Sequence, residues 1–339
     1  MDAIAFWLPV VWAVLIAAAV ALYVILDGFD LGIGILFPFS KEEAERDRMI
    51  NTIAPFWDGN ETWLVLGGGG LWVAFPAAYA VIMPANYLPV IVMLLALIFR
   101  GVSFEFRAVS KPNHRMWDVA FAAGSTTAAF AQGVILGNLI QGITVVDGRF
   151  AGAAFDWLTP FALMCGVGLV FGYALLGATW LIARTDGELA AKSRWQAKAS
   201  FLAVLAFIGV VSLWTPFGFD RIWERWFSAP YIYFLWILPA VTVVAAYWMW
   251  RSLEAGATVK PFLASIALFL LSYIGLAIST FPYLVPPSLT IWDTAAVPSS
   301  QIFTLIGVLV MLPIILGYTV FVYWTFLRDG KVVAGEGYH

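Results

Sequence analysis

Stretches of about 20 apolar residues, the length that crosses a bilayer's hydrocarbon layer as an α-helix, recur nine times in this 339-residue chain. They fall at about 5–26 (continuing to 39), 53–75, 79–100, 117–145, 155–183, 198–216, 229–250, 261–283 and 300–327. Lipid offers no hydrogen bonds to a bare backbone, so runs of this kind can only be helices whose backbone bonds close within the segment. With 62% hydrophobic and 12% charged residues and a mean hydropathy of +0.89, soluble enzymes are excluded. The expected fold class is an all-α polytopic membrane protein with nine transmembrane helices.

The basic residues orient it. Lys41, Arg46, Arg48, Arg100, Arg107, Lys111, Arg115, Arg184, Lys192, Arg194, Lys198, Arg251, Lys260, Arg328 and Lys331 follow odd-numbered spans, whereas only Arg149, Arg221 and Arg225 follow even ones. The positive-inside rule then puts the odd loops and the C-terminus in the cytoplasm and the N-terminus outside. No Lys or Arg precedes the first run and no small-residue cleavage site ends it, so it reads as a retained helix. The net charge of −3 gives no reason to expect a nucleic-acid partner. Cys165 is the single cysteine, which rules out a disulfide within the chain and reads as a small buried hydrophobe.

Several features speak of packing. Gly28 and Gly32, Gly133 and Gly137, and Gly168 and Gly172 have the small-xxx-small spacing that lets membrane helices approach closely. Gly67 to Gly70, four in a row inside the second span, would admit a neighbouring backbone, a lipid or a flat ring, with helix packing the better reading. Trp7, Trp57, Trp72, Trp117, Trp226, Trp292 and Trp324 lie near span ends, as in an interfacial belt. Pro282, Pro286 and Pro287 should stop the eighth span, leaving Ser288 to Ser300 as an outward structured loop suited to docking or a lid.

The chemistry should reside in six ionisable residues at or within the first four spans: Asp27, Asp30, Asp58, Glu61, Arg100 and Asp118. A charge at the bilayer centre costs at least about 2.5–3.5 kcal/mol, so such groups mark ion or proton handling. The topology places all six towards the cytoplasmic end of one four-helix group. Asp27 and Asp30 are three residues apart, as are Asp58 and Glu61, and i,i+3 residues share a helix face. Asp58 is expected to belong to a proton path; Asp30, Arg100 and Asp118 are expected to support it structurally; Glu61 and Asp27 sit between these roles. Asn138, Gln141 and Gln132 in the fourth span are expected to hydrogen-bond between helices. His114 and His339 are the only histidines and neither falls within a span, so this chain is expected to ligate no haem or other metal.

At DGFDLGIG (27–34), MINTIAPFWDGNETWL (49–64), FRGVSFEFR (99–107), MWD (116–118), LGNLIQG (136–142), FPYLVPPSLTIWD (281–293) and SSQ (299–301), the chain resembles subunit II of the cytochrome bd quinol oxidases, including their cyanide-insensitive branch. The resemblance spans essentially the whole length. It implies two four-helix bundles, at 1–145 and 155–283, a peripheral ninth helix at 300–327 and a cytoplasmic tail at 328–339. It implies a bacterial cell (inner) membrane heterodimer with a haem-bearing subunit I, which carries two haems b, haem d and the quinol-oxidising loop, and often a small single-helix subunit. Quinol and oxygen would be the complex's substrates, and some members hold a structural quinone in this subunit. The WDGN aspartate, matching Asp58, would serve the proton route towards the haems, with Glu61 and Asp27 beside it. The residues matching Asp30, Arg100 and Asp118 would support haem insertion or assembly. One departure is Phe56, where some relatives carry a histidine, so no imidazole relay is expected there. The short loop between spans six and seven is another, and leaves a quinone without support from this sequence. The rival readings are a secondary transporter with intramembrane carboxylates and a purely structural partner.

Overall fold

The structure, a computed structural model, describes residues 3–110, 114–328 and 330. Lys111, Lys331, His339 and nearly all of the 328–339 tail lie outside the described residues. Thirteen α-helices carry the described chain: α1 (Ala3–Leu36), α2 (Glu43–Asn51), α3 (Trp57–Ala74), α4 (Pro76–Ala85), α5 (Tyr87–Val109), α6 (His114–Gln141), α7 (Pro160–Arg184), α8 (Gly187–Gly218), α9 (Asp220–Phe227), α10 (Ile232–Leu235), α11 (Ile237–Glu254), α12 (Lys260–Thr280) and α13 (Pro298–Arg328). Two small hairpins complete it: β1 (Val145–Val146) with β2 (Arg149–Phe150), and β3 (Tyr283–Val285) with β4 (Leu289–Thr290). The chain is an integral membrane protein of the expected all-α class.

Among the described residues eight helical segments are long and apolar enough to cross a membrane: α1, α5, α6, α7, α8, α10 with α11, α12 and α13. The second expected span, 53–75, falls on the helix α3, which is not among these eight. Its first turn carries Asp58 and Glu61 follows, and its glycine run adds little apolarity, so composition alone does not mark it as a span. The third expected span, 79–100, is displaced. Residues 76–85 form the separate helix α4, which starts on Pro76 and contains Pro84, and the long helix begins only at Tyr87. Arg100 therefore does not close the third span: α5 continues to Val109 and holds Arg100 in its interior.

The ion pairs outside the interior gather at one end of the helices. At one pole Arg46 meets Asp118 (2.7 Å), Arg107 meets Asp47 (2.6 Å), Arg48 meets Asp186 (2.6 Å), Lys192 meets Glu45 (2.9 Å) and Lys198 meets Glu254 (2.6 Å). At the other, Arg221 donates to the carbonyl of Ile140 and Arg225 to that of Phe281.

The buried core is threaded by α7, which lies against α1, α6, α8 and α12, while α13 rests on α3 and α1. The small-residue pairs explain this closeness. A Cβ on Gly32 would stand 1.9 Å from the carbonyl oxygen of Tyr173, and one on Gly177 would stand 2.4 Å from the carbonyl carbon of Gly32, so α1 and α7 touch backbone to backbone. Phe29 stacks on Trp180 at 4.3 Å across the same seam. The Ser288–Ser300 segment folds back on the helix ends. Trp292 Nε1 donates to Phe6 O (3.0 Å), and both Ala296 N and Gln301 Nε2 donate to Ala74 O (2.9 Å each), satisfying a carbonyl that the end of α3 leaves open.

Two outcomes follow from this packing. Gly32→Ala should destabilise the protein by about 1–3 kcal/mol through overpacking, seen as a lower melting temperature in detergent. Gly209→Ala, whose Cβ meets nothing within 4 Å, should leave it unchanged. In the outer hairpin the Thr290 hydroxyl (2.6 Å) and amide (2.9 Å) donate to Asp293 Oδ2 and hold its carboxyl below the usual carboxylate range. A depressed folded pKa stabilises fully above the ordinary aspartate value and is lost as pH falls through the lower folded value. Amide-exchange protection of Thr290 should fall in that acidic window, and Asp293→Asn should abolish the pH dependence.

Candidate functional site

Helix α5 shows why a cation is drawn into the interior. Met93, Ala96, Leu97, Arg100, Ser103, Phe104 and Arg107 form a buried stripe at three- and four-residue spacing, while Ile91, Leu94, Leu95, Ile98 and Phe99 are exposed. Apart from Glu105 near its end, the outer face is apolar and the other charged groups share the inner one, which inverts the pattern of a helix on a soluble protein. Arg100 is thereby carried into the bundle, and a guanidinium stays charged wherever it sits.

Its counter-ions come from two other helices. Arg100 Nη1 lies 2.8 Å from Asp27 Oδ1, Nη2 lies 3.7 Å from Asp30 Oδ2, and Nη1 lies 3.9 Å from Glu61 Oε2. Arg100, Asp27 and Asp30 are 0% exposed, while the Glu61 side chain retains 28%. Trp57 lies under the guanidinium at 5.7 Å and stacks on Phe104 at 5.0 Å. The i,i+3 pairing of Asp27 with Asp30 thus does what its spacing suggests, placing both on one seam.

Neutral polar groups extend the cluster. Asn60 Nδ2 donates to Asp30 Oδ2 (2.8 Å) and Leu26 O (3.2 Å), and Tyr323 Oη from α13 donates to Asn60 Oδ1 (2.9 Å). On the other side Tyr23 stands beside Asp27, Gln132 Nε2 donates to Tyr23 Oη (2.7 Å), and Tyr173 Oη donates to Gln132 Oε1 (2.7 Å). A continuous polar line therefore runs from α13 through α3, α1 and α6 to α7. Asn138 Nδ2 donates to Asn86 Oδ1 (3.0 Å) and Gln141 pairs with Thr159, both away from this line.

The six expected site residues do not form one constellation. Asp27, Asp30, Glu61 and Arg100 come together. Asp118 lies in a second cluster at the basic pole, where it accepts from Arg46 Nη1 and Arg107 Nε at 2.7 Å each, and Arg107 Nη1 also donates to Asp47 (2.6 Å). These bonds pin α2 to the start of α6 and the end of α5. Asp58 joins neither cluster: it is exposed on α3, one turn before Glu61, on a stripe continued by Thr62, Val65, Gly69 and Trp72. Sequence reasoning missed Tyr323, for which no local signal exists, and Arg46 and Arg107, whose charges were fully explained by topology. Asn60 could have been found as the amide within WDGN.

Gly67 and Gly70 pack on Val20 and Ile16 of α1, while Gly68 and Gly69 meet nothing within 4 Å, so half of the glycine run serves helix packing. A cleft of about 100 Å³ lies beside Gly70, between α1, α3 and α13. That is small against the roughly 300–1,000 Å³ of ligand pockets. Among the described residues no group of three or more His, Cys, Asp and Glu is arranged to hold a metal ion. His114 stands at the start of α6 facing Glu43 at 3.5 Å.

The chain is similar in sequence to Escherichia coli K12 "Cytochrome bd-I ubiquinol oxidase subunit 2", 32% identical over 354 residues that cover 93% of each chain. Bacillus subtilis 168 "Cytochrome bd ubiquinol oxidase subunit 2" is 32% identical over 335 residues, covering 94% of this chain and 95% of that protein. In three dimensions it is similar to a chain of the bd oxidase from Geobacillus thermodenitrificans, with a TM-score of 0.77 at 16% identity, covering 95% of this chain and 99% of that one. The family described as "Cytochrome bd terminal oxidase subunit II" matches residues 8–326, so the seven sequence blocks and the helical scaffold that holds Arg100 have one explanation: this chain belongs to the subunit II family of cytochrome bd terminal oxidases, which are oxidoreductase complexes.

Proposed function

We propose that this chain is the haem-free subunit of a bacterial inner-membrane quinol oxidase, partnered by a haem-bearing subunit I, and that it lends the complex a scaffold and a proton path from the cytoplasm. The observation that carries this reading is the placement of carboxylates at graded depth along α3: Asp58 exposed in its first turn, then Glu61 partly exposed against a fully buried Arg100. A carboxylate exposed on a membrane helix has no favourable environment in lipid. The stripe that bears Asp58 is thus suited to a partner's surface, and nine spans with the N-terminus outside would put that turn at the cytoplasmic end. The family match leaves the secondary-transporter reading without support.

The residues present do not fit a haem, since the one described imidazole is at a helix start beside Glu43 and Cys165 is the only thiol. The redox chemistry, oxidation of quinol and reduction of oxygen to water, is assigned to the partner, and this chain's residues hold and move protons. Drawing consumed protons from the cytoplasm while quinol releases its own outside separates charge without a pump. Each charge moved is worth about 2.3 kcal/mol per 100 mV, which a narrow carboxylate route preserves against leakage. Asp30, Arg100 and Asp118 hold the helices that frame this route, and Asp118 does so through α2. A bound structural quinone and a small third subunit remain outside what this geometry supports.

Asp58→Asn should slow oxygen uptake with quinol on the order of 10²-fold, the size of a positioned proton-transfer group, while the haem absorbance of the purified complex is kept. Normal turnover and charge separation in that variant would sink the role. Asp118→Leu takes a charged partner from Arg46, which keeps the Ser40 carbonyl, and from Arg107, which keeps Asp47, and should cost about 1.5–3 kcal/mol, read as less assembled, haem-loaded complex. Arg107→Leu combined with Asp118→Leu should recover part of the loss.

A further inference from the structure

We propose that the Arg100 cluster is a proton store, in which Asp27, Asp30 and Glu61 together hold at least one proton at neutral pH. Three carboxyl groups share one guanidinium within 4 Å, so full ionisation would leave two negative charges in excess inside the bundle. The side chains that surround them are neutral or acidic. Helix α1 adds Tyr23, α3 adds Asn60 and, one turn away, the further acid Asp58; α6 adds Gln132, α7 adds Tyr173 and α13 adds Tyr323. None of these carries positive charge. Arg107, two turns further along α5, and Arg46 on α2 are engaged by Asp118 and Asp47 at the pole.

Asp30 offers one position for the proton, and Asp27, whose two oxygens are also buried without a hydrogen-bond partner, offers another. Tyr323 donates to Asn60 Oδ1, which fixes the amide so that its Nδ2 donates to Asp30 Oδ2. The other oxygen, Asp30 Oδ1, is buried and accepts no hydrogen bond, which suits an oxygen that carries hydrogen rather than charge. Glu61 is the cluster's partly exposed member and gives the store its contact with the outside. Uptake turns one carboxylate oxygen into a hydroxyl and removes one excess negative charge; release restores it, with no other bond made or broken. The store uses the carboxylates of the proposed path but does not require Asp58 to conduct, so the two ideas can fail separately.

Infrared absorption of the intact complex at pH 8, in H₂O and in D₂O, tests this by subtracting Asp27→Asn, Asp30→Asn and Glu61→Gln from the unaltered protein. At least one subtraction should remove a carboxylic-acid C=O band that moves to lower frequency in D₂O. If all three remove only ionised-carboxylate bands, the store does not exist. Should an asparagine variant not assemble, Asp27→Glu or Asp30→Glu keeps the acid and should shift the same band; an unmoved band would assign it elsewhere and overturn the proposal. Activity of Asp58→Asn has no bearing on either result.

Discussion

A guanidinium inside a membrane bundle cannot shed its charge, and that constraint organises this protein. Arg100 sits mid-helix on α5, so its counter-ions must come from within the bundle, and they come from α1 and α3. Satisfying them fixes the axial register of the three helices together, because a one-turn slip of α1, about 5.4 Å, would carry Asp27 and Asp30 out of reach. Gly124 of α6 closes the fourth side: a Cβ there would stand 2.7 Å from the carbonyl of Ala96 and 3.1 Å from the amide of Arg100. Buried ion pairs are weak sources of net stability and are often neutral when replaced by apolar groups. Four ionisable side chains gathered in one place are therefore better explained by what they do than by what they stabilise.

The second cluster works on the first at a distance. Arg46 and Arg107 both bond to Asp118, and Arg107 reaches Asp47, so α2 is fastened at two points to the helices that flank it. Residues 52–56 follow directly from α2 and turn into α3, where Phe56 stacks on Tyr323 at 4.5 Å and packs edge-on to Trp180. Fastening α2 thereby sets how the chain enters α3 and where Asp58, Asn60 and Glu61 emerge. Aromatic packing at Phe56 orders Tyr323, whose hydroxyl fixes Asn60.

Much of this was legible in the sequence because lipid imposes simple rules. Of the nine apolar runs, eight overlap helices long and apolar enough to cross a membrane, and the i,i+3 spacing gave the shared face of Asp27 and Asp30. The misreadings have physical causes. Residues 79–85 are as apolar as a span, and only the prolines at 76 and 84 betray that they form a short separate helix. Arg100 looked terminal because hydropathy falls at a charge, whereas the helix itself continues through Phe104 and Arg107 on the strength of inward partners. Arg46 and Arg107 satisfied the positive-inside rule so fully that nothing suggested a further role. Pairings such as Tyr323 with Asn60 join residues 263 positions apart and leave no periodic trace.

Asp58 carries the argument to the edge of the molecule. Its neighbours on the exposed face, Thr62, Val65, Gly69 and Trp72, recur at the four- and three-residue steps by which one helix presents a seam to another. Gly68 and Gly69 offer no side chain to lipid and leave the backbone open to close approach. A lipid tail can fill such a groove but can donate nothing to a carboxylate, whereas a protein face can do both. The same turn of α3 thus points Asn60 inward to the Arg100 cluster and Asp58 outward to a surface that must be polar. On the proposed reading Asp58 meets the partner on that outer surface, while Glu61, one turn further on, meets Arg100 within the bundle.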